Sequence, residues 1–294
     1  MQNLPKGCMR SRDWHSLLAR ADVQSLSQAR RRHEHKHHND EHVSNNRHSY
    51  GVQEYTVVLN NEHAQYWSHV DKGGKFRING MLAGTYHVRL FQDQREVQAT
   101  NLVLARGGSA QVSIEAPAEQ ATMWSIGCHD GRPQGFLNAD KFERMHPSDR
   151  RMSSWLPRTV SVGDVRQFPM AQIGGLNPTT IRFTLTAKEA SSPRTLLIVT
   201  TAHVNRGRPF VKVNGTPQRV PPAPSHLQVY GKGVYESRVF TRGAHLLSPA
   251  TYTFGALQLK AGLNEIVIDV AGRLKPGLSP FLQPTFVYDY VALV

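Results

Sequence analysis

IGCHDGRPQGFLNADKFERMHPSDRRMSSW, from Ile126 to Trp155, is the run from which the rest of the chain is read. It shows neither the alternation of a strand nor the 3.6-residue period of a helix, and it is too rich in glycine, proline and charge to be core. It reads as one long irregular segment crossing the surface or mouth of a β structure, shaped by something other than packing. Downstream, residues 179 to 294 give strands: TIRFTLTA, RTLLIVTTAHV, PFVKVNG, NEIVIDVAG and TFVYDYVALV. Ile181, Phe183 and Leu185 alternate with polar residues, as do Ile266, Ile268 and Val270, and Asn214-Gly215 supplies turn chemistry. Strands separated by long loops, with no helical pattern beyond two turns, predict a jelly-roll β-sandwich over residues 122–294.

Upstream, residues 51–121 carry shorter strands about 10 residues apart. Tyr55, Val57 and Leu59 alternate, as do Tyr86, Val88 and Leu90, and LNNEH, DKGGK, LAGT and ARGGS separate the runs. The pattern predicts a small antiparallel sandwich, with Tyr66, Trp67, Phe76 and Tyr86 as its core and edge aromatics. The two sandwiches join near residues 116 to 122. Residues 1–50 read as a basic arm. One helix is expected over about 14 to 29, after Asp13 as N-cap. The stretch ARRRHEHKHHNDEHVSNNRH carries six histidines, and a composition so poor in apolar residues cannot offset chain entropy by burial.

The formal net charge of +13 is unevenly spread. Residues 1–50 hold 9 Lys/Arg and 5 Asp/Glu, residues 51–121 hold 6 and 7, and residues 122–294 hold 20 and 10, giving +4, −1 and +10. A basic module attracts polyanions at long range, whether nucleic acid or acidic polysaccharide. No helix-turn-helix, RNP, KH or zinc-finger signature is present, so nucleic acid is not the expected partner. No run of 18 apolar residues suggests a membrane span, and the N-terminus lacks the apolar region of a secretory signal. Cys8 and Cys128 stand 120 positions apart in unlike contexts, and both are expected to be free thiols.

Several pieces, in order, carry a resemblance: AQYWSHVDKGGKFRINGMLAGTYHVRLF, then IGCHDGRPQGFLNADK, MHPSDRRMSSW, FPMAQ, RGRPFVKVNG, KGVYESRVF, LKAGLNEIVIDV and FLQPTFVYDYVAL. Over about residues 66 to 294 the chain resembles the middle and C-terminal modules of the fungal-type rhamnogalacturonan lyases. The resemblance implies a fibronectin-III-like sandwich followed by a galactose-binding-like jelly roll, an extracellular setting, a monomer, and an acidic plant cell-wall polysaccharide, rhamnogalacturonan I, as partner. It leaves room for a structural calcium, although the loops show no dense carboxylate pattern such as DxDxDG, and no other cofactor is expected. The family's β-elimination needs a base for the proton α to the uronate carboxylate and a cation beside that carboxylate. The resemblance assigns these to a large N-terminal domain, and the arm in that place offers nothing like it. No catalytic residue is therefore carried over, and the chain is expected to lack lyase activity.

A binding role has better support. Uronate recognition calls for arginine forks and lysines at carboxylates and amides at hydroxyls. The loops of residues 122–294 offer Lys141, Arg151, Arg206, Arg208 and Asn214. Trp155 reads as a packing anchor, and His129, Asp130, Asp140, His146 and Asp149 as residues that hold the irregular segment by turns and caps.

Overall fold

The structure is a computed structural model that describes residues 18–25, 55–118, 120–141, 145–223, 229–230, 233–234, 249–274 and 276–294. It is all-β, and the chain divides into two compact units, Met9–Glu119 and Met1–Cys8 with Gln120–Val294.

The first unit is a two-sheet sandwich. One sheet has the order β3 (Gln65–His69), β2 (Tyr55–Asn60), β5 (Gly84–Gln92), β6 (Arg95–Leu104). The other has the order β4 (Lys75–Met81), β1 (Leu18–Ser25), β7 (Ser109–Glu115). The alternation seen in the sequence is realised directly: Val57 and Leu59 of β2 and Tyr86, Val88 and Leu90 of β5 are buried, meeting Phe76, Ile78, Val112 and Ile114 in one core. One expectation is corrected. The predicted helix over 14 to 29 is replaced, at Leu18–Ser25, by a strand, and the rest of that span lies outside the described residues. The physical reason is nonlocal: β4 and β7 each present an edge, and β1 pairs parallel to one and antiparallel to the other, so tertiary ladders override local helical spacing. Trp67 lies on β3, an edge strand of its sheet, and is 60% exposed.

The second unit has one sheet of β10 (Ala171–Ile173), β19 (Thr285–Leu293), β12 (Arg194–Val204) and β17 (Ala250–Leu257), with β8 (Trp124–Gly127) also on β19. The facing sheet runs β14 (Thr216–Pro217), β13 (Arg208–Val213), β18 (Gly262–Ala271), β11 (Thr179–Leu185), β9 (Arg158–Ser161). A two-strand ladder, β15 (Val229–Tyr230) with β16 (Gly233–Val234), stands apart from both sheets.

Strand β19 is buried along its length except at half-buried Tyr290, which a strand with one face in water would not be. The irregular segment accounts for this. Phe136, Met152 and Trp155 of that segment, with Phe168 and Met170 beyond it, belong to the same core cluster as Phe286, Tyr288 and Val291. Phe168 meets Tyr288 edge-on at 4.9 Å, and Phe136 lies 5.7 Å from Phe168 and 6.1 Å from Tyr288. The segment is thus shaped by packing after all, correcting the opposite expectation, because its few large apolar residues are spaced to reach the sheet while the polar ones between them turn the chain.

Candidate functional site

The irregular segment is held by its own polar groups. Asn138, buried and at φ +73°, exchanges two hydrogen bonds with Ser153: its Nδ2 donates to the Ser153 carbonyl (3.0 Å) and its Oδ1 accepts from the Ser153 amide (2.8 Å). Trp155 is buried, and its Nε1 donates to the Pro147 carbonyl at 2.8 Å, as a packing anchor would. Asp289 on β19 receives the backbone N–H groups of Asp130, Gly131 and Arg132 on Oδ1, at 3.2, 2.9 and 3.1 Å. Its burial drives the carboxyl well above the ordinary carboxylate range, helped by the charge of Asp130 and opposed by those three N–H groups. Cys128 is disulfide-bonded, which corrects the expectation of a free thiol. The one other cysteine in the sequence, Cys8, lies outside the described residues. Nothing in the sequence around Cys128 marks it for a disulfide.

The five residues expected to contact ligand fall in three places. Lys141 is half-buried after the Asn138 turn, and its amide donates to the Asn138 carbonyl at 3.1 Å. Arg151 is exposed and engaged with Asp149 by a two-pronged contact, Nε to Oδ1 at 2.9 Å and Nη2 to Oδ2 at 2.8 Å. The Arg151 hydrogen bonds hold the Asp149 carboxyl well below the usual carboxylate range. Ser148, Asp149, Arg150 and Arg151 line a shallow depression there.

Arg206 and Arg208 sit at the β12–β13 turn. Asn205 and Arg206 both take positive φ, at +50° and +59°, and Gly207 follows, where a Cβ would overlap the backbone of Thr285. Arg206 is exposed, whereas Arg208 is a strap: its Nε donates to the Pro221 carbonyl at 2.7 Å, and its Nη1 reaches the carbonyls of Arg206 (3.3 Å) and Ala271 (3.5 Å). That last contact ties the turn to the end of β18, after which Arg273 and Leu274 are exposed. The same β18–β19 connection reaches the irregular segment, with Phe281 edge-on to His146 at 5.9 Å. The Arg208 contact therefore sets the Arg206 turn beside the end of β18, two residues before Arg273.

Asn214 is elsewhere. It closes the other end of β13, roughly 20 Å from Arg208 at strand rise, and its side chain is spent on Asn264 (2.9 Å) and the amide of Glu265 (3.0 Å). Arg273 is the residue missed in the sequence, because nothing local marks a loop arginine until β13 and β18 are paired through Arg208 and Ala271. Among the described residues no group of three or more His, Cys, Asp and Glu side chains is arranged to hold a metal ion. No helix among them is long and apolar enough to cross a membrane.

Residues 122–293 match the CBM-like pattern of polysaccharide lyase family 4, domain III, and residues 44–117 match the pattern of domain II of that family. A probable rhamnogalacturonate lyase A of Aspergillus clavatus is 37% identical over 245 residues, covering 81% of this chain and 44% of that protein. A putative rhamnogalacturonase of Neurospora crassa is 38% identical over 240 residues (79% and 42%), and rhamnogalacturonate lyase A of Aspergillus aculeatus is 34% identical over 246 (82% and 45%). The chain thus spans less than half the length of the curated relatives it matches. With both of its units matched in order and such relatives over about four fifths of its length, the chain belongs to polysaccharide lyase family 4.

Proposed function

We propose that this chain is the polysaccharide-binding portion of a rhamnogalacturonan lyase-like protein, and that the described residues bind an acidic pectic backbone without cleaving it. The observation that carries this reading is the gathering of Arg206, Arg208 and Arg273 at one end of a unit whose net charge is +10, 20 Lys/Arg against 10 Asp/Glu over residues 122–294. Arg206 and Arg273 are exposed and offer forked donors to uronate carboxylates. Arg208 positions them by fixing the turn. The names of the relatives support a pectic partner, and a disulfide at Cys128 fits an oxidising, extracellular setting.

Exposed sugar sites exchange water hydrogen bonds for protein ones at little net gain, so affinity in about the micromolar to millimolar range is expected. Carboxylates in solvent are screened beyond about 8 Å at physiological ionic strength, so salt should weaken binding. The test is titration of the chain with rhamnogalacturonan I and polygalacturonate at low and high salt, with duplex DNA of matched charge as competitor. Arg206→Ala should weaken binding about tenfold without changing the unfolding midpoint, as expected for one charge-assisted contact. The same mixtures should show no rise in absorbance from unsaturated uronate. No binding at low salt, equal preference for DNA, or product formation would each overturn the proposal.

A further inference from the structure

The outward face of the β3–β2–β5–β6 sheet carries a feature that the charge of the other unit does not explain. Inward positions on these strands are buried core, so the alternating partners face solvent. Across the middle of that face run Trp67, Val58, Arg89 and Ala99, in register from β3 to β6. Trp67 is 60% exposed, where core and edge aromatics of a sandwich are ordinarily covered. From this geometry we infer that the face is a saccharide-binding platform centred on Trp67, which takes an uncharged pyranose chain.

The neighbours of Trp67 decide the ligand class. The row to one side is Gln65, Asn60, His87 and Asn101, four side chains that donate and accept hydrogen bonds at the strand spacing of about 4.8 Å. His87 Nδ1 donates to Asn101 Oδ1 at 3.1 Å, which leaves the Asn101 amide N–H groups and His87 Nε2 for a ligand. The row to the other side places His69 edge-on to Trp67 at 5.3 Å, steadied by Thr56 Oγ1 at 3.2 Å from His69 Nδ1. A pyranose has an apolar C–H face for an indole and hydroxyls round its rim for amides and imidazoles, which is the distribution found here. A protein partner would call for a broader apolar centre than one indole with Val58 and Ala99.

The ligand is uncharged because the face offers no spare cation. Arg89 lies over the Phe91 ring at 5.3 Å and pairs with Glu96 at 3.6 Å. Residues 51–121 sum to −1, 6 Lys/Arg against 7 Asp/Glu, so an acidic chain gains nothing by approaching.

Binding of an uncharged β-galactan to the full chain, measured by calorimetry at low and high salt, tests this. Binding should be insensitive to salt and weakened at least about tenfold by Trp67→Ala, the loss of one aromatic stacking contact with its buried area. Trp67→Phe should restore part of it. The same variant should leave the salt-sensitive binding of polygalacturonate unchanged, so the two sites fail separately. If Trp67→Ala shifts the unfolding midpoint, Asn101→Ala, at an exposed position, replaces it with the same expectation. Absence of galactan binding by the unaltered chain, or binding that survives both substitutions, would overturn the inference.

Discussion

His203, on β12, is a buried histidine with both ring nitrogens engaged: Nδ1 donates to the Gly207 carbonyl at 2.7 Å, and Nε2 lies 2.9 Å from Thr200 Oγ1, a hydroxyl that also reaches the Ala250 carbonyl at 3.1 Å. Tyr252 packs edge-on at 5.8 Å. Burial depresses the His203 pKa below its ordinary value, and the Gly207 carbonyl offsets this only in part. The sign follows from linkage. The folded state prefers the neutral ring, so its stability contribution is complete above an unfolded-state pKa of about 6.5 and is lost as pH falls below that. Urea unfolding between pH 7.5 and 5 should show stability falling by at most about 1.4 kcal/mol per pH unit from this one proton. His203→Gln should lower stability at pH 7.5 and flatten that slope, and an unchanged slope would remove His203 as its source. The same imidazole fixes Gly207 and hence the Arg206 turn, so acid should also loosen the candidate polyanion site. None of this was legible from TTAHV alone, where His203 looked like one more strand residue; the signal lies in Gly207, which only Thr285 packing explains.

At the scale of elements, β1 is the informative case. Its Ala21 faces Phe76 on β4 and Val112 on β7, so one strand supplies the ladder for both neighbours. Proline at position 21 removes the ladder N–H and cannot sit in a central strand. Ala21→Pro should therefore destabilise the first unit by about 2 kcal/mol or more, one lost hydrogen bond plus an orphaned acceptor. Ala21→Val, which suits a strand, should be near neutral. Amide exchange localised to Leu18–Ser25 and β7 would report the loss; equal unfolding of both variants would show that β1 adds nothing. Strands such as β2, β5, β11 and β18 were legible because half-buried strands write their burial as alternation: Val57 and Leu59 on β2, Ile266 and Ile268 on β18. Two kinds of element were not. β1 is defined by its partners and not by its pattern, and the Ile126–Trp155 run hides apolar anchors, Phe136, Met152 and Trp155, among residues that describe turns. The candidate site divides the same way: loop arginines could be named, but only pairing of β13 with β18 brings Arg206 and Arg273 together and sets Asn214 apart.

Over the whole molecule, connectivity matters as much as packing. The chain folds into two units, and Cys128 of the second is disulfide-bonded. In the chain-entropy model a disulfide typically restricts the unfolded state by about 2 to 4 kcal/mol. Cys128 also adjoins the 130–132 backbone that Asp289 holds, so the crosslink anchors the start of the segment covering β19. Reduction should therefore lower the unfolding midpoint of the second unit, and Cys128→Ser should reproduce the shift without reductant. The strands of the first unit's two sheets contain no cysteine, so its transition should move less. Alkylation of the native, unreduced protein should not label Cys128. Labelling of Cys128, or a midpoint indifferent to reductant, would show that the crosslink is absent or carries no stability.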